Sequence, residues 1–305
     1  QNGGSDGRPD SWPSAQLCSG AMMDRIKQNI AALPSLRNLM AQTDLQARKS
    51  LGQNFLFDLN LTSRIARTAA PLTGTIIEVG PGPGGLTRAL LLEGDAHIIA
   101  VEKDRRATAF LTHLIDAAEG QLEVIEEDAL KAPLWTYGSA PRQIVANLPY
   151  NIATPLLLSW LKHANAFTAM SLMFQREVAM RITAPHGSSA YGRLSVITQW
   201  RAETELVFDV PAAAFTPPPK VTSSIVRIIP RAAPLAPCEQ HHLEAVTAIA
   251  FGQRRKMLRA SFKQYGGETM LADVGIEASA RPQEIPVEAF CALARRLGPA
   301  GLLDK

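Results

Sequence analysis

The chain is poor in net charge: 305 residues carry a formal +3, so any grip on nucleic acid must come from local patches and not from the overall field. It has only three cysteines, Cys18, Cys238 and Cys291. They are odd in number, far apart along the chain and without histidines at ligand spacing, which argues for a reducing compartment and against a metal site. The one adjacent histidine pair, His241 and His242, would point in different directions on a helix and reads as surface. No apolar run approaches the ~18 residues needed to span a bilayer. Residues 1 to 21 lack the charged, apolar, small-residue order of a secretory signal. These absences together read as a cytoplasmic protein with no membrane partner.

What is present is an ordinary globular balance, 46% hydrophobic and 19% charged residues, on a chain long enough for two domains at roughly 150 residues each. Residues 1 to 21, rich in Gly, Ser, Pro and Asp, read as a disordered leader, with Met22 or Met23 as a natural start. An amphipathic stretch from Met23 to Lys49, carrying Arg25, Lys27, Arg37 and Arg48, predicts one or two short helices. Apolar, β-branched runs then follow at Thr75 to Gly80, His97 to Glu102, Leu122 to Asp128, Gln143 to Leu148 and Ala169 to Phe174. Helical spacing between them, as in Leu86 to Leu92 and Arg105 to Ala118, predicts crossovers and a parallel α/β sheet of the Rossmann-like kind. Glu203 to Val210 and Ser223 to Ile229 are separated by a Pro-rich loop too short for a helical crossover, so they should pair antiparallel at one edge. Past Pro234 and Pro237 the remainder reads as helices. The expected organisation is a leader at 1–21, an α/β domain with a helical lead-in at 22–233 and a small helical domain at 234–305.

Two groups of residues carry chemistry. Glu78 to Gly85 follows the first strand of the run and opens a helix, and Gly80, Gly82 and Gly85 satisfy the G-x-G-x-x-G spacing, with Glu102 ending the next strand where a ribose-binding acid belongs. A nicotinamide dehydrogenase would carry the same fingerprint. Pro81 and Pro83, however, remove backbone donors that a pyrophosphate would need, whereas S-adenosylmethionine has no phosphate. Asp128, after the third strand of the run, offers a carboxylate for the amine of an adenine. The second group, Asn147-Leu148-Pro149-Tyr150, stands after the fourth, at the carboxyl edge where open α/β sheets bind ligands. The Asn147 side-chain oxygen and a nearby backbone carbonyl could hold both hydrogens of an exocyclic adenine amine and leave its lone pair free. Tyr150 offers a flat face. An Asn-Pro type turn after a strand is the plainer alternative for this tetrapeptide alone.

With Leu51-Gly52-Gln53-Asn54-Phe55-Leu56, the Glu78 to Gly85 loop, Val101 to Asp104, Asn147 to Asn151, Tyr191-Gly192-Arg193-Leu194-Ser195 and Phe215 to Val221 in order, the chain resembles the ribosomal RNA adenine dimethyltransferase family over about Lys49 to Arg259. The resemblance implies an S-adenosylmethionine-dependent methyltransferase sheet. It implies that Asn54, Leu56, Gly80, Glu102, Asp128 and Asn147 surround the cofactor, beside Gly82 of the fingerprint. It implies that Tyr150 and Phe215 hold a target adenine by its faces while Asn147 and the Leu148 carbonyl orient its amine. The substrate so implied is a pair of neighbouring adenosines near the 3′ end of small-subunit (16S) rRNA, on a pre-assembled 30S particle, with the enzyme acting as a monomer and without a metal. Ala153 and Thr222 depart from common family residues without touching that chemistry.

Phe251 to Tyr265 contains Arg254, Arg255, Lys256, Arg259 and Lys263 and no acidic residue. Read as one helix, it places Arg255, Arg259 and Lys263 in a stripe suited to an RNA backbone, with Phe251, Leu258 and Phe262 toward a core. A large-subunit adenine methyltransferase of the antibiotic-resistance type and an RNA-binding assembly factor in which catalysis is secondary are the competing readings.

Overall fold

The computed structural model describes residues 20–41 and 53–298. Most of the expected leader, Cys18, and the part of the first family-like segment formed by Leu51 and Gly52 lie outside the described residues, as do Arg48 and Lys49 of the basic lead-in. The first helix begins at Gly20 and runs to Ala32, burying Met23, Ile26 and Ile30. A second helix spans Leu36–Ala41.

The described residues divide into two compact units. One holds the chain up to Asn151 with Ala166–Ser171 and Ala213–Pro218; the other holds Ile152–Asn165, Leu172–Ala212 and the described residues from Pro219 on. Strands are β1 Phe55–Leu56, β2 Thr75–Val79, β3 His97–Glu102, β4 Leu122–Glu126, β5 Arg142–Asn147, β6 Ala169–Gln175, β7 Ala202–Val210, β8 Phe215–Thr216 and β9 Ser223–Pro230. Their order is β4-β3-β2-β5-β6-β9-β7 in a seven-stranded sheet, with β1 and β8 forming a separate pair. Each strand expected from an apolar run is present, within two residues of its expected ends. The two-residue strands β1 and β8 have no periodicity to announce them.

In the first unit β2 pairs parallel with β3, Val79 opposite Val101, and with β5 on its other side, Ile77 opposite Ile144. β3 pairs parallel with β4. Every residue of β2 is buried, as expected of a strand covered on both faces, and its Thr-Ile-Ile-Glu-Val run supplies the β-branched surface. The strand order reverses between β2 and β5, and the carboxyl ends at this switch point are Gly80 and Asn147, where a doubly wound sheet opens a crevice. The helix Gly85–Glu93 follows β2. The stretch predicted as one helix after β3 is two, Arg105–Phe110 and Thr112–Ala117. They part at Leu111, whose N–H is shared between the carbonyls of Ala107 and Thr108 at 3.0 and 3.2 Å.

In the second unit β7 and β9 pair antiparallel at the sheet edge, with a register shift between Leu206 and Phe208. Along β7 the more exposed positions are Glu203, Glu205, Val207 and Asp209, and acidic residues on an edge strand discourage pairing with other chains. The helix Gln240–Gly252 and the last helix, Val287–Leu297, share a core with residues upstream of the expected linker: Tyr191, Val196 and Trp200 pack with Leu243, Val246, Phe262, Phe290 and Leu293. The Pro-rich stretch between β9 and Gln240 is pinned to it, because Trp200 Nε1 donates to the Ala236 carbonyl at 2.8 Å and Leu235 N–H to the Trp200 carbonyl at 2.9 Å.

The basic segment is not one helix. Gln240–Gly252 ends at a glycine, Gln253 leaves helical backbone at φ −127°, and a new short helix, Leu258–Ser261, begins only after the extended Met257. Tertiary pairing breaks it: Leu258 and Arg259 donate their N–H groups to the carbonyls of Ala280 and Ala278, at 2.8 and 3.1 Å, instead of to a preceding helical turn. Arg255, Arg259 and Lys263 therefore do not form the expected helical stripe. Leu258 and Phe262 are fully buried and Phe251 packs against the same core, as the pattern required.

Candidate active site

The glycine loop is shaped by what lies on it. Gly82 adopts φ +53°, and a Cβ there would sit 3.0 Å from the Phe55 ring, so side-chain conformers are disfavoured twice over. At Gly85 a Cβ would lie 2.2 Å from the Leu56 carbonyl oxygen. β1 thus rests directly on the loop. It is held from its other side by β8, with Phe55 opposite Thr216 and Leu56 opposite Phe215. The loop closes on itself through a bond of 2.9 Å from Gly84 N–H to the Pro81 carbonyl.

Glu102, at the end of β3 and 7% exposed, accepts from the N–H of Gly82 at 3.1 Å and of Asp104 at 2.8 Å. Burial pushes its carboxyl upward and these backbone donors partly offset the shift. Asp104 caps the helix Arg105–Phe110, pairs with Arg106 at 2.6 Å and accepts from Gln53 Nε2 at 3.2 Å. The Arg106 hydrogen bond holds its carboxyl below the usual range. One residue of the family-like segment is thereby tied to the acid end of β3.

Asp128 lies two residues beyond the end of β4, in the following turn and not in the strand itself. Its oxygens take Leu130 N–H at 3.1 Å and Lys103 Nζ at 2.7 Å, and the Lys103 bond draws its pKa down. It is a charged acceptor at the same sheet edge as Glu102.

Asn147 ends β5 and is half-buried. Its Nδ2 donates to the Asn54 carbonyl at 3.2 Å. With the amide nitrogen so placed, Oδ1 is the acceptor left to face a ligand. Leu148 is buried at 1% exposure. Pro149 ends the turn and Tyr150, half-buried, opens the helix Tyr150–Lys162, which carries Pro155 within it. Phe215 is buried at 3% exposure in β8. Contacts within the first unit therefore join Asn54, Leu56, Gly82, Glu102, Asn147 and Phe215, with Gly80 one residue past β2.

Glu78 stands out as a group in its own right. It is 1% exposed near the end of β2, its Oε2 has no hydrogen-bond partner, and burial pushes its pKa up to about 8 although hydrogen bonding from Thr87 works the other way. An acid inside an otherwise apolar strand, two residues before a glycine loop, was the available signal. An orphaned buried carboxylate oxygen beside the loop needs a donor from a ligand or a proton of its own.

The basic residues have partners of their own. Arg254 donates to the Ser189 carbonyl and lines a cavity of about 360 Å³ with Arg181, Arg193 and Phe251. Arg259 pairs with Glu268 at 2.8 Å. Arg255 and Lys256 are both exposed in the turn between helices.

A parallel sheet with its strand order reversed at β2 and β5, an antiparallel edge pair, and a glycine loop backed by acids at successive strand ends define a Rossmann-like S-adenosylmethionine-dependent methyltransferase. The family model for ribosomal RNA adenine dimethylase matches residues 44–298. Ribosomal RNA small subunit methyltransferase A of Paramagnetospirillum magneticum is 58% identical over 270 residues, covering 88% of this chain and 96% of that protein. The protein of the same name from Rhodospirillum rubrum is 56% identical over 271 residues, covering 88% and 94%. The chain belongs to the ribosomal RNA adenine dimethylase family. Among solved structures, the 23S rRNA methyltransferase ErmE aligns with a TM-score of 0.62 at 28% identity, over 83% of this chain and all of that one, 100%. A dimethyladenosine transferase from Plasmodium falciparum aligns with a TM-score of 0.66 at 25% identity, over 81% and 98%.

The site fits the family's cofactor. S-adenosylmethionine carries an ammonium, a ribose and an adenine, and no phosphate. The orphaned Glu78 oxygen, Glu102 and Asp128 match those three polar needs, and the proline-interrupted loop offers the close backbone approach without a phosphate cradle.

Proposed function

We propose that this enzyme methylates the N6 amines of two adjacent adenosines near the 3′ end of small-subunit (16S) rRNA, giving N6,N6-dimethyladenosines, as a monomer acting in the cytoplasm on a pre-assembled 30S particle. The observation that carries this reading is the fixed amide of Asn147, whose nitrogen is bonded to the Asn54 carbonyl at 3.2 Å at the end of β5. Its free oxygen and the Leu148 carbonyl then take the two hydrogens of the target amine. The nitrogen lone pair, ordinarily delocalised into the ring, is turned toward the cofactor side. After one transfer a single N–H remains, one acceptor suffices, and the same groups serve the second transfer.

Tyr150 and Phe215 hold the flipped base by its faces. Stacking contributes ~1–3 kcal/mol per base and offsets the cost of leaving the RNA stack. When bound, S-adenosylmethionine supplies a methyl on a sulfonium for in-line displacement. Asn54, Leu56, Gly80, Gly82, Glu102 and Asp128 hold it against Asn147, with Glu78 added as an acceptor for its ammonium. The methylated amine sheds its proton without a strong base, so the contribution of these residues is positioning. Residues 22–233 carry the methyltransferase domain and 234–305 the RNA-binding one. Arg254, Arg255, Lys256, Arg259 and Lys263 meet RNA phosphates from separate short elements.

The test is incubation of the protein with labelled S-adenosylmethionine and unmethylated small subunits, large subunits or naked RNA, followed by mapping of the modified adenines. Label in two neighbouring adenosines of the small subunit is expected. Label confined to large subunits would overturn the assignment in favour of the resistance-type reaction, which the small-subunit names of the 58% and 56% identical relatives count against.

A further inference from the structure

Cys238 and Cys291 are 53 positions apart in sequence, by the difference of their numbers, and the second unit brings them together. Cys291 lies on the last helix and is fully buried in the core, and Cys238, on the Pro-rich stretch, packs against that same core. The neighbouring chain is pinned: Arg295, one turn beyond Cys291, donates from Nη1 to the Pro237 carbonyl at 2.6 Å. Each thiol perturbs the other's ionisation across that shared core. Both are free thiols, Cys238 partly exposed and Cys291 buried.

We propose that Cys238 and Cys291 form an oxidisable dithiol, a modification site at which a small hydroperoxide converts the pair to a disulfide that staples the Pro-rich stretch to the last helix. The two sulfurs are unequal. The neighbouring Cys291 thiol draws the Cys238 thiol down, against its burial, with the Arg295 guanidinium assisting and Glu239 opposing. Cys291 is pushed up by its Cys238 neighbour and by burial, with Glu288 adding to the rise. Cys238 is therefore the sulfur that attacks and the one that solvent reaches. Its thiolate attacks the distal peroxide oxygen, the O–O bond breaks, and the products are a Cys238 sulfenic acid and one water. The Cys291 sulfur then attacks the sulfenic sulfur, the S–O bond breaks, and the Cys291 proton leaves with the departing oxygen as a second water. In balance, two thiols and one hydrogen peroxide give one disulfide and two waters.

The test treats the full chain with hydrogen peroxide and maps peptides without reduction. A Cys238–Cys291 linked peptide is expected, reversed by dithiothreitol, with Cys18 still alkylatable and with a higher Tm for the oxidised protein than for the reduced one. In Cys291→Ala, dimedone is expected to trap a Cys238 sulfenic acid. In Cys238→Ser, Cys291 is expected to survive as a thiol. Should either variant fail to fold, peptide mapping of the unaltered chain decides alone. Cys238 passing to sulfinic acid with Cys291 unreacted, or a disulfide formed through Cys18 instead, would overturn the assignment.

Discussion

Alanine at position 147 should separate chemistry from binding. Asn147 gives its nitrogen to the Asn54 carbonyl at 3.2 Å, a bond worth about 0.5–1.5 kcal/mol net. The side chain is half-buried, so truncation should cost stability on the order of 1 kcal/mol, a Tm loss of ~2–4 °C for a chain of this size. In the proposed reaction its oxygen works only at the reacting amine, and removal of one preorganised group at a reacting centre costs ~2.7–4 kcal/mol, or roughly 10²–10³ in rate. Single-turnover transfer from labelled S-adenosylmethionine should therefore slow by two to three powers of ten. Affinity for the small subunit, set by phosphate contacts elsewhere, should stay within roughly threefold by filter binding. Asn147→Asp keeps the shape but turns the donor into an acceptor facing a carbonyl, and should be as inactive and less stable than the alanine variant. A rate for Asn147→Ala within fivefold of the parent, or lost subunit binding with undiminished transfer, would show that Asn147 has been given the wrong role.

Three further outcomes are expected. Glu78 is buried with its pKa pushed from 4.5 to about 8, so between those values the folded chain holds a proton that the unfolded chain has lost. Its contribution to stability is complete below pH 4.5 and drains as pH rises toward 8, by at most about 1.4 kcal/mol per unit. Glu78→Gln should flatten the fall in Tm of the cofactor-free protein between pH 6.5 and 8, and an unchanged slope would count against a protonated Glu78. In Gly85→Ala the new Cβ meets the Leu56 carbonyl at 2.2 Å, so β1 must move off the loop; calorimetry with S-adenosylhomocysteine should find affinity down by at least about tenfold, ~1.4 kcal/mol. Glu replacement of Arg255 or Lys256 should weaken binding to small subunits and shallow its salt dependence by at least about 0.7 per lost phosphate contact, whereas Arg259→Ala, already paired with Glu268, should do less.

Much of this was open to a reader of the residues alone. Buried strands announce themselves as continuous β-branched runs, and Ile76, Ile77, Ile98, Ile99, Ile144 and Val145 are all fully buried. The short loop between β7 and β9 left room only for an antiparallel pair. Asn147 could be placed at the carboxyl edge of the sheet because strand ends in a parallel α/β sheet share one side. Glu78 was hidden because a single acid in a strand has no period. The basic stripe was misread because helical spacing assumes a continuous helix, and the backbone donors of Leu258 and Arg259 found better partners at Ala280 and Ala278.

By itself the sequence determined the local and repetitive features: which runs become strands, which glycines turn a loop, and which side chains stand at strand ends. Only the tertiary structure decided what those ends meet. The pairing of Leu56 with Phe215, the Asn147 bond to Asn54, the Phe55 ring on Gly82 and the meeting of Cys238 with Cys291 join positions remote along the chain. No periodicity spans such distances, since contacts of this kind are selected by close packing of the folded core and by the need of each buried polar group for a partner.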